Sequence, residues 1–106
     1  MFGRQVTLKL KTNSATELNR ISADEILPIL RKQKGFRDET TFIAPERSEA
    51  VVNSFWDTKA DAEAYGHTAY AEVLKTLSNV IDGTPTVKNF EFASSTLQQA
   101  ATSKLV

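Results

Sequence analysis

The chain is predicted to be an α+β domain in which a four-stranded antiparallel sheet carries helices on one face. Three observations predict it. Apolar and polar residues alternate with a period of two near both ends of the 106 residues. Two apolar stripes of helical period lie inside those strands, one after the first and one before the last. Between the helical stripes lie two extended segments separated by a short polar turn.

In the first strand, Phe2 to Lys11, Phe2, Val6, Leu8 and Leu10 point one way while Gln5, Thr7, Lys9 and Lys11 point the other. Ser14-Ala15-Thr16-Glu17 then matches a capping box and starts a helix whose apolar face is Leu18, Ile21, Ile26 and Ile29. Pro28 removes an amide donor and kinks that helix; a second capping box, Ser22 to Glu25, points to two segments joined at a bend. Gly35 ends it, as a left-handed residue commonly does.

Phe36 to Ala44 reads as the second strand, with Phe36, Thr40, Phe42 and Ala44 on one side, followed by the turn Pro45-Glu46-Arg47-Ser48. The third strand, Glu49 to Trp56, is apolar on both faces through Val51, Val52, Phe55 and Trp56. Thr58 to Asp61 caps a short helix that bends near Gly66 into a longer one, striped by Tyr70, Val73, Leu74, Leu77 and Val80. Asp82-Gly83-Thr84-Pro85 forms the turn before a last strand, Val87 to Phe92. Strand, helix, strand, strand, helix, strand is the ferredoxin-like βαββαβ order, and it places one domain at residues 1–93. Residues 94–106 form a tail with Leu97, Leu105 and Val106 in a polar background, either a short helix or a segment crossing to a partner.

Composition narrows the function. Thirteen basic residues balance thirteen acidic ones, with no basic stripe interleaved with aromatics, so nucleic acid is not an expected partner. Arg31-Lys32-Gln33-Lys34 sits where cations complement a helix C-terminus. There is no cysteine, and one histidine leaves only carboxylates for a metal, so no metal site is expected. No stretch approaches the roughly 20 apolar residues of a membrane span, and the first residues lack the pattern of a secretory leader, so the expected location is cytoplasmic.

The segments Leu30 to Arg37, Ser54 to Ala62 and Pro85 to Phe92 resemble the dimeric α/β-barrel proteins, in particular their antibiotic-biosynthesis monooxygenase-like branch. The resemblance implies a homodimer in which two sheets pack face to face into a barrel, with a cavity between sheet and helices in each subunit. It also implies a choice of activities that fold alone does not make. Haem-degrading relatives are disfavoured, because the positions resembling their tryptophan and histidine are Tyr65 and Lys75. What remains is a monooxygenase without metal, flavin or other cofactor, acting on small aromatic or quinone-like compounds. The alternative is a non-catalytic dimeric module that binds a ligand or another protein.

The candidate site is Asn53, Trp56, Tyr65, His67 and Tyr70. His67 is the candidate base, since its ordinary pKa near 6.5 suits neutral pH. Trp56, Tyr65 and Tyr70 are the candidates to stack on an aromatic ligand and donate hydrogen bonds, with Asn53 beside them. Each has a plainer reading: core or interface filler for Trp56, core packing for the tyrosines, a solvated His67 beside Gly66, and an Asn53 that faces a partner sheet.

Overall fold

The computed structural model describes residues 1–44, 46 and 48–93. The four strands are β1 (Phe2–Leu10), β2 (Phe36–Ala44), β3 (Glu49–Trp56) and β4 (Ile81–Glu91). They form one antiparallel sheet in the order β2-β3-β1-β4, with β1 and β3 at its centre. Helices α1 (Ala15–Ile21) and α2 (Leu27–Arg31) follow β1, and α3 (Lys59–His67) and α4 (Tyr70–Leu77) follow β3. This is the expected ferredoxin-like arrangement. The tail 94–106, and with it the two readings of its course, lies outside the described residues, as do Pro45 and Arg47 of the predicted turn.

The alternation in β1 decides which face is covered. Phe2, Arg4, Val6, Leu8 and Leu10 are buried in alternate positions, and on β3 the matching inward row is Ala50, Val52, Ser54 and Trp56. Leu18, Ile21, Ile26 and Leu30 close on this face from one helical layer, and Tyr65, Val73 and Leu77 from the other. Leu8, Leu18 and Trp56 are wholly enclosed. At about 25 cal/mol per Å2 of apolar surface, that enclosure is the main force holding helices to sheet.

Several local expectations are corrected. Between α1 and α2 the chain is a π-helical turn, Ser22–Ile26, so the two segments are joined by one widened turn. Pro28 sits in the first turn of α2, where a missing amide costs nothing. Neither Ser14 nor Ser22 caps with its side chain. Thr58 does, accepting from the Asp61 amide at 3.1 Å. Helix α2 ends at Arg31, four residues before Gly35, whose φ of +80° completes the reversal into β2. A side chain at Gly35 would also overlap the Asp61 carboxylate.

On β2 the register slips between Phe36 and Asp38, leaving Arg37 as an extra residue. Phe36 therefore turns inward, edge-on to Trp56 at 5.6 Å, whereas Thr40 and Phe42 pair with Asn53 and Val51 on the other face. Glu39 and Thr41 take the inward positions. The bend expected at Gly66 lies at Thr68 and Ala69, since α3 runs through the glycine. The predicted turn at Asp82 to Pro85 is a bulge inside β4: Thr7 pairs with Thr86 and Lys9 with Asp82, so Gly83 (φ +71°), Thr84 and Pro85 loop out.

Candidate functional site

Between the helices and the sheet lies a cleft of about 460 Å3 measured to its open mouth. Its enclosed part is narrow, about 30 Å3. Val6 and Leu8 of β1 and Val52 of β3 form the floor, Leu18, Ile26 and Leu30 one wall, and Val73 and Leu77 the other. Ser22 lines it from the widened π-helical turn, a local form that often accompanies functional sites. The remaining lining is polar: Arg4, Glu39, Ser54, Tyr65 and Tyr70.

An aromatic chain backs the polar end. Trp56 stacks on Tyr65 with ring centroids 4.9 Å apart and planes 27° from parallel, and Tyr65 meets Tyr70 at 5.9 Å and 62°. Trp56 ends the inward row of β3, Tyr65 follows buried Ala62 on the inner stripe of α3, and Tyr70 opens α4. The Trp56 Nε1 donates to the Ser54 Oγ at 2.9 Å, which satisfies the buried indole. Over these rings lies Arg4, its Cζ 4.4 Å from the Tyr70 centroid and 5.6 Å from that of Tyr65.

Arg4 is 9% exposed, and its Nε is buried without a hydrogen-bond partner. Glu39 Oε2 is likewise buried and unpartnered, although the Thr41 hydroxyl reaches its other oxygen at 3.5 Å. A buried polar atom left unpaired costs about 1–3 kcal/mol. Burial pushes the Glu39 carboxyl above its ordinary range; the Thr41 hydroxyl holds it back, and the charge of Asp38 adds to the rise. Burial also raises both tyrosines, with the Arg4 charge opposing it, so each keeps its hydroxyl proton at neutral pH.

Of the five candidate residues, three are brought together. Tyr65 and Tyr70 line the cleft, and Trp56 packs behind Tyr65. His67 is not with them: two residues past Tyr65 on an unbroken helix turns it about 200° away, and it is exposed outside the cleft. Asn53 lies on the opposite face of the sheet, where it accepts from Gln5 Nε2 at 3.1 Å and donates to Thr40 Oγ1 at 3.4 Å. Alternation requires this, because its neighbour Ser54 points inward. Arg4 and Glu39 are the residues the sequence reading passed over. The signal for Arg4 was a lone charge in the apolar row of β1; Glu39 was masked by the unseen bulge at Arg37.

Among the described residues no group of three or more His, Cys, Asp or Glu could hold a metal, and no helix is long and apolar enough to cross a membrane. No protein-family model matches the sequence, and no curated protein matches it. Solved structures do match. A monooxygenase from the ActVA-Orf6 gene of Streptomyces coelicolor, in complex with nanaomycin D, superposes with a TM-score of 0.74 at 16% identity, over 89% of this chain and 88% of that one. The chain has the fold of the antibiotic-biosynthesis monooxygenase-like proteins. SnoaB, a cofactor-independent oxygenase from Streptomyces nogalater, matches with a TM-score of 0.70 at 12% identity, over 90% and 95% of the two chains. NE2512 of Nitrosomonas europaea, a protein of unknown function, matches at 0.71 and 17% identity over 89% and 90%. Three further structures of this fold, from Nitrosomonas europaea, Bordetella bronchiseptica and Deinococcus radiodurans, are named as putative antibiotic-biosynthesis monooxygenases.

Proposed function

We propose that this protein binds a small planar aromatic or quinone-like molecule in the cleft and oxidises it with molecular oxygen, without metal or flavin. The observation that carries the reading is the cleft itself, an apolar slot between helices and sheet with an aromatic wall and polar groups gathered at one end. A flat ring system would enter such a slot as the helical layer moves away from the sheet, and would bury its faces against aliphatic and aromatic side chains. Relatives in fold named as oxygenases add weight.

The chemistry asks little of the protein. A ring-activated CH2 group loses a proton to give a carbanion, which reduces oxygen and joins it as a hydroperoxide. Loss of water then leaves a carbonyl. One CH2 and one O2 become one C=O and one H2O. The group placed to take the first proton is Glu39, whose burial makes its carboxylate a stronger base than an exposed one. The neutral hydroxyls of Tyr65 and Tyr70 are donors for the oxygen of the developing anion.

We further propose that the uncovered sheet face pairs with a second copy. Phe42 is 64% and Phe90 50% exposed there, alongside Val51 and Phe55 and the hydrogen-bonded row Gln5, Asn53 and Thr40. Apolar area of that kind favours a partner over open water.

The test is oxygen uptake with an anthrone, whose CH2 lies between two aromatic rings, following anthraquinone by absorbance in the presence of a chelator. Uptake of one O2 per quinone above the uncatalysed rate supports the reading. A rate equal to the background, together with a melting temperature that climbs with ligand concentration, replaces it with the non-catalytic binding module.

A further inference from the structure

Arg4 is the only charged residue in the inward row of β1. A buried cation costs free energy unless a counter-charge meets it. No carboxylate of the described residues comes within 4.0 Å of its guanidinium. The rings of Tyr65 and Tyr70 stabilise it through their faces, but an N–H lies in the guanidinium plane and needs an acceptor in that plane. The Nε of Arg4 has none, and across the same cleft the Oε2 of Glu39 has no donor. Two polar atoms without partners, on residues of separate strands that line one apolar slot, are groups that a polar ligand bound there would satisfy.

We infer that Arg4 and Glu39 form an anion-recognition site, and that the cleft takes planar aromatic ligands bearing an ionised oxygen, either an enolate or a carboxylate. The inference rests on the reading of the cleft as a ligand site and adds the charge of the ligand to it. Arg4 supplies the counter-charge and the in-plane N–H. Glu39, once it has taken the proton that the oxygenase reading assigns to it, donates it to a second lone pair of the same oxygen or to its neighbour. Burial favours that protonated form. Gly66 makes room for the arrangement, since a Cβ there would stand 2.9 Å from the Arg4 Nη1.

Titration calorimetry of the full chain at pH 7 tests this with three probes: 2-hydroxy-1,4-naphthoquinone, which is ionised at that pH, its neutral methyl ether, and 2-naphthoate. At least one anion should bind about tenfold or more tightly than the ether, as a charge-assisted hydrogen bond implies. Which anion does so separates enolate from carboxylate recognition. Arg4→Gln should bring the preference to within about twofold, and Arg4→Lys should restore part of it. Glu39→Gln, which still donates and cannot ionise, should keep the preference or raise it.

An ether that binds as tightly as the anions overturns the inference, as does an Arg4→Gln protein of unchanged circular dichroism that keeps the preference. If none of the three binds but anthrone oxidation proceeds, the anion site is refuted and the oxygenase reading stands. If neither binding nor oxidation is seen, both fall.

Discussion

Replacing Gly66 by alanine sets two physical effects against each other, and the structure supplies the size of each. Gly66 lies inside α3, so alanine brings a gain of up to about 0.8–1.0 kcal/mol in helix propensity. Against this, the new Cβ sits 2.9 Å from Arg4 Nη1, and ordinary contact begins at 3.4 Å, so the guanidinium must retreat by about 0.5 Å. The retreat costs part of a cation–π contact worth about 0.5–2 kcal/mol over Tyr70. The atom met is the far end of a long side chain and not backbone. Folding stability should therefore stay within about 1 kcal/mol of the parent, some 4–8 °C in Tm for a domain of this size. The anion preference should fall about three- to tenfold, because a hydrogen bond to the ligand depends on where the guanidinium stands. Thermal melting by circular dichroism and calorimetric titration with the three probes read the two effects separately. A variant that melts as the parent does and retains the full preference would refute the placement of Arg4; a fall in Tm of more than about 10 °C would show that Arg4 cannot give way.

Glu39→Gln has a pH signature. A carboxyl whose pKa is raised on folding holds its proton more tightly in the native state, so its contribution is favourable at low pH and is lost as the pH rises through the folded value. The Tm of Glu39→Gln minus that of the parent should accordingly increase between pH 4 and pH 8; a difference that shrinks over that interval contradicts the burial of Glu39. Trp56→Ala removes a wholly enclosed ring with two aromatic neighbours and should cost about 3–5 kcal/mol, measured by urea unfolding at a far-ultraviolet wavelength. A loss below about 1 kcal/mol would mean the stack is not packed as described. Val51→Lys places a charge in the middle of the uncovered sheet face with little effect on the fold. Light scattering should then give the 11.7 kDa monomer where the parent gives twice that mass, and a parent that is itself monomeric would remove the proposed pairing.

The strand and helix order was legible because it rests on long periodic patterns: the alternation of β1, the two-faced β3 and the stripes around Leu18 and Val73 are each set by burial. What escaped were single-residue insertions. Arg37 bulges β2 and reverses the sense of everything before it, so plain alternation groups Phe36 with Thr40 and Phe42 and hides the inward turn of Glu39. Gly83 and Pro85 are turn residues by chemistry, yet the strand resumes on both sides of them because β1 continues to offer partners. A bulge has no periodicity of its own, and only pairing with a neighbouring strand reveals it. The site suffered for the same reason. The three aromatics are legible because their size demands burial, whereas Asn53 and His67 join them only on the expectation that the strand end and the helix bend meet at one end of the cavity. Alternation on β3 and the turn angle of α3 send those two elsewhere.

Both bulges fall on the outermost strands, β2 and β4, and on no others. An outermost strand ordinarily presents a row of free amides and carbonyls on which another chain can lengthen the sheet, the route to fibres and runaway assembly. Here each border is broken: Arg37 shifts the row on one side, and on the other the Gly83 to Pro85 loop interrupts it, with a proline that has no amide to offer. The interruption is larger at the β4 border than at β2, where Asp38 to Ala44 pair regularly, and the flat side of the sheet carries the exposed phenylalanines. A contact made there closes after two copies. The irregularities that most obscure the reading of the sequence are also the ones that interrupt the outer strands of a sheet with exposed phenylalanines.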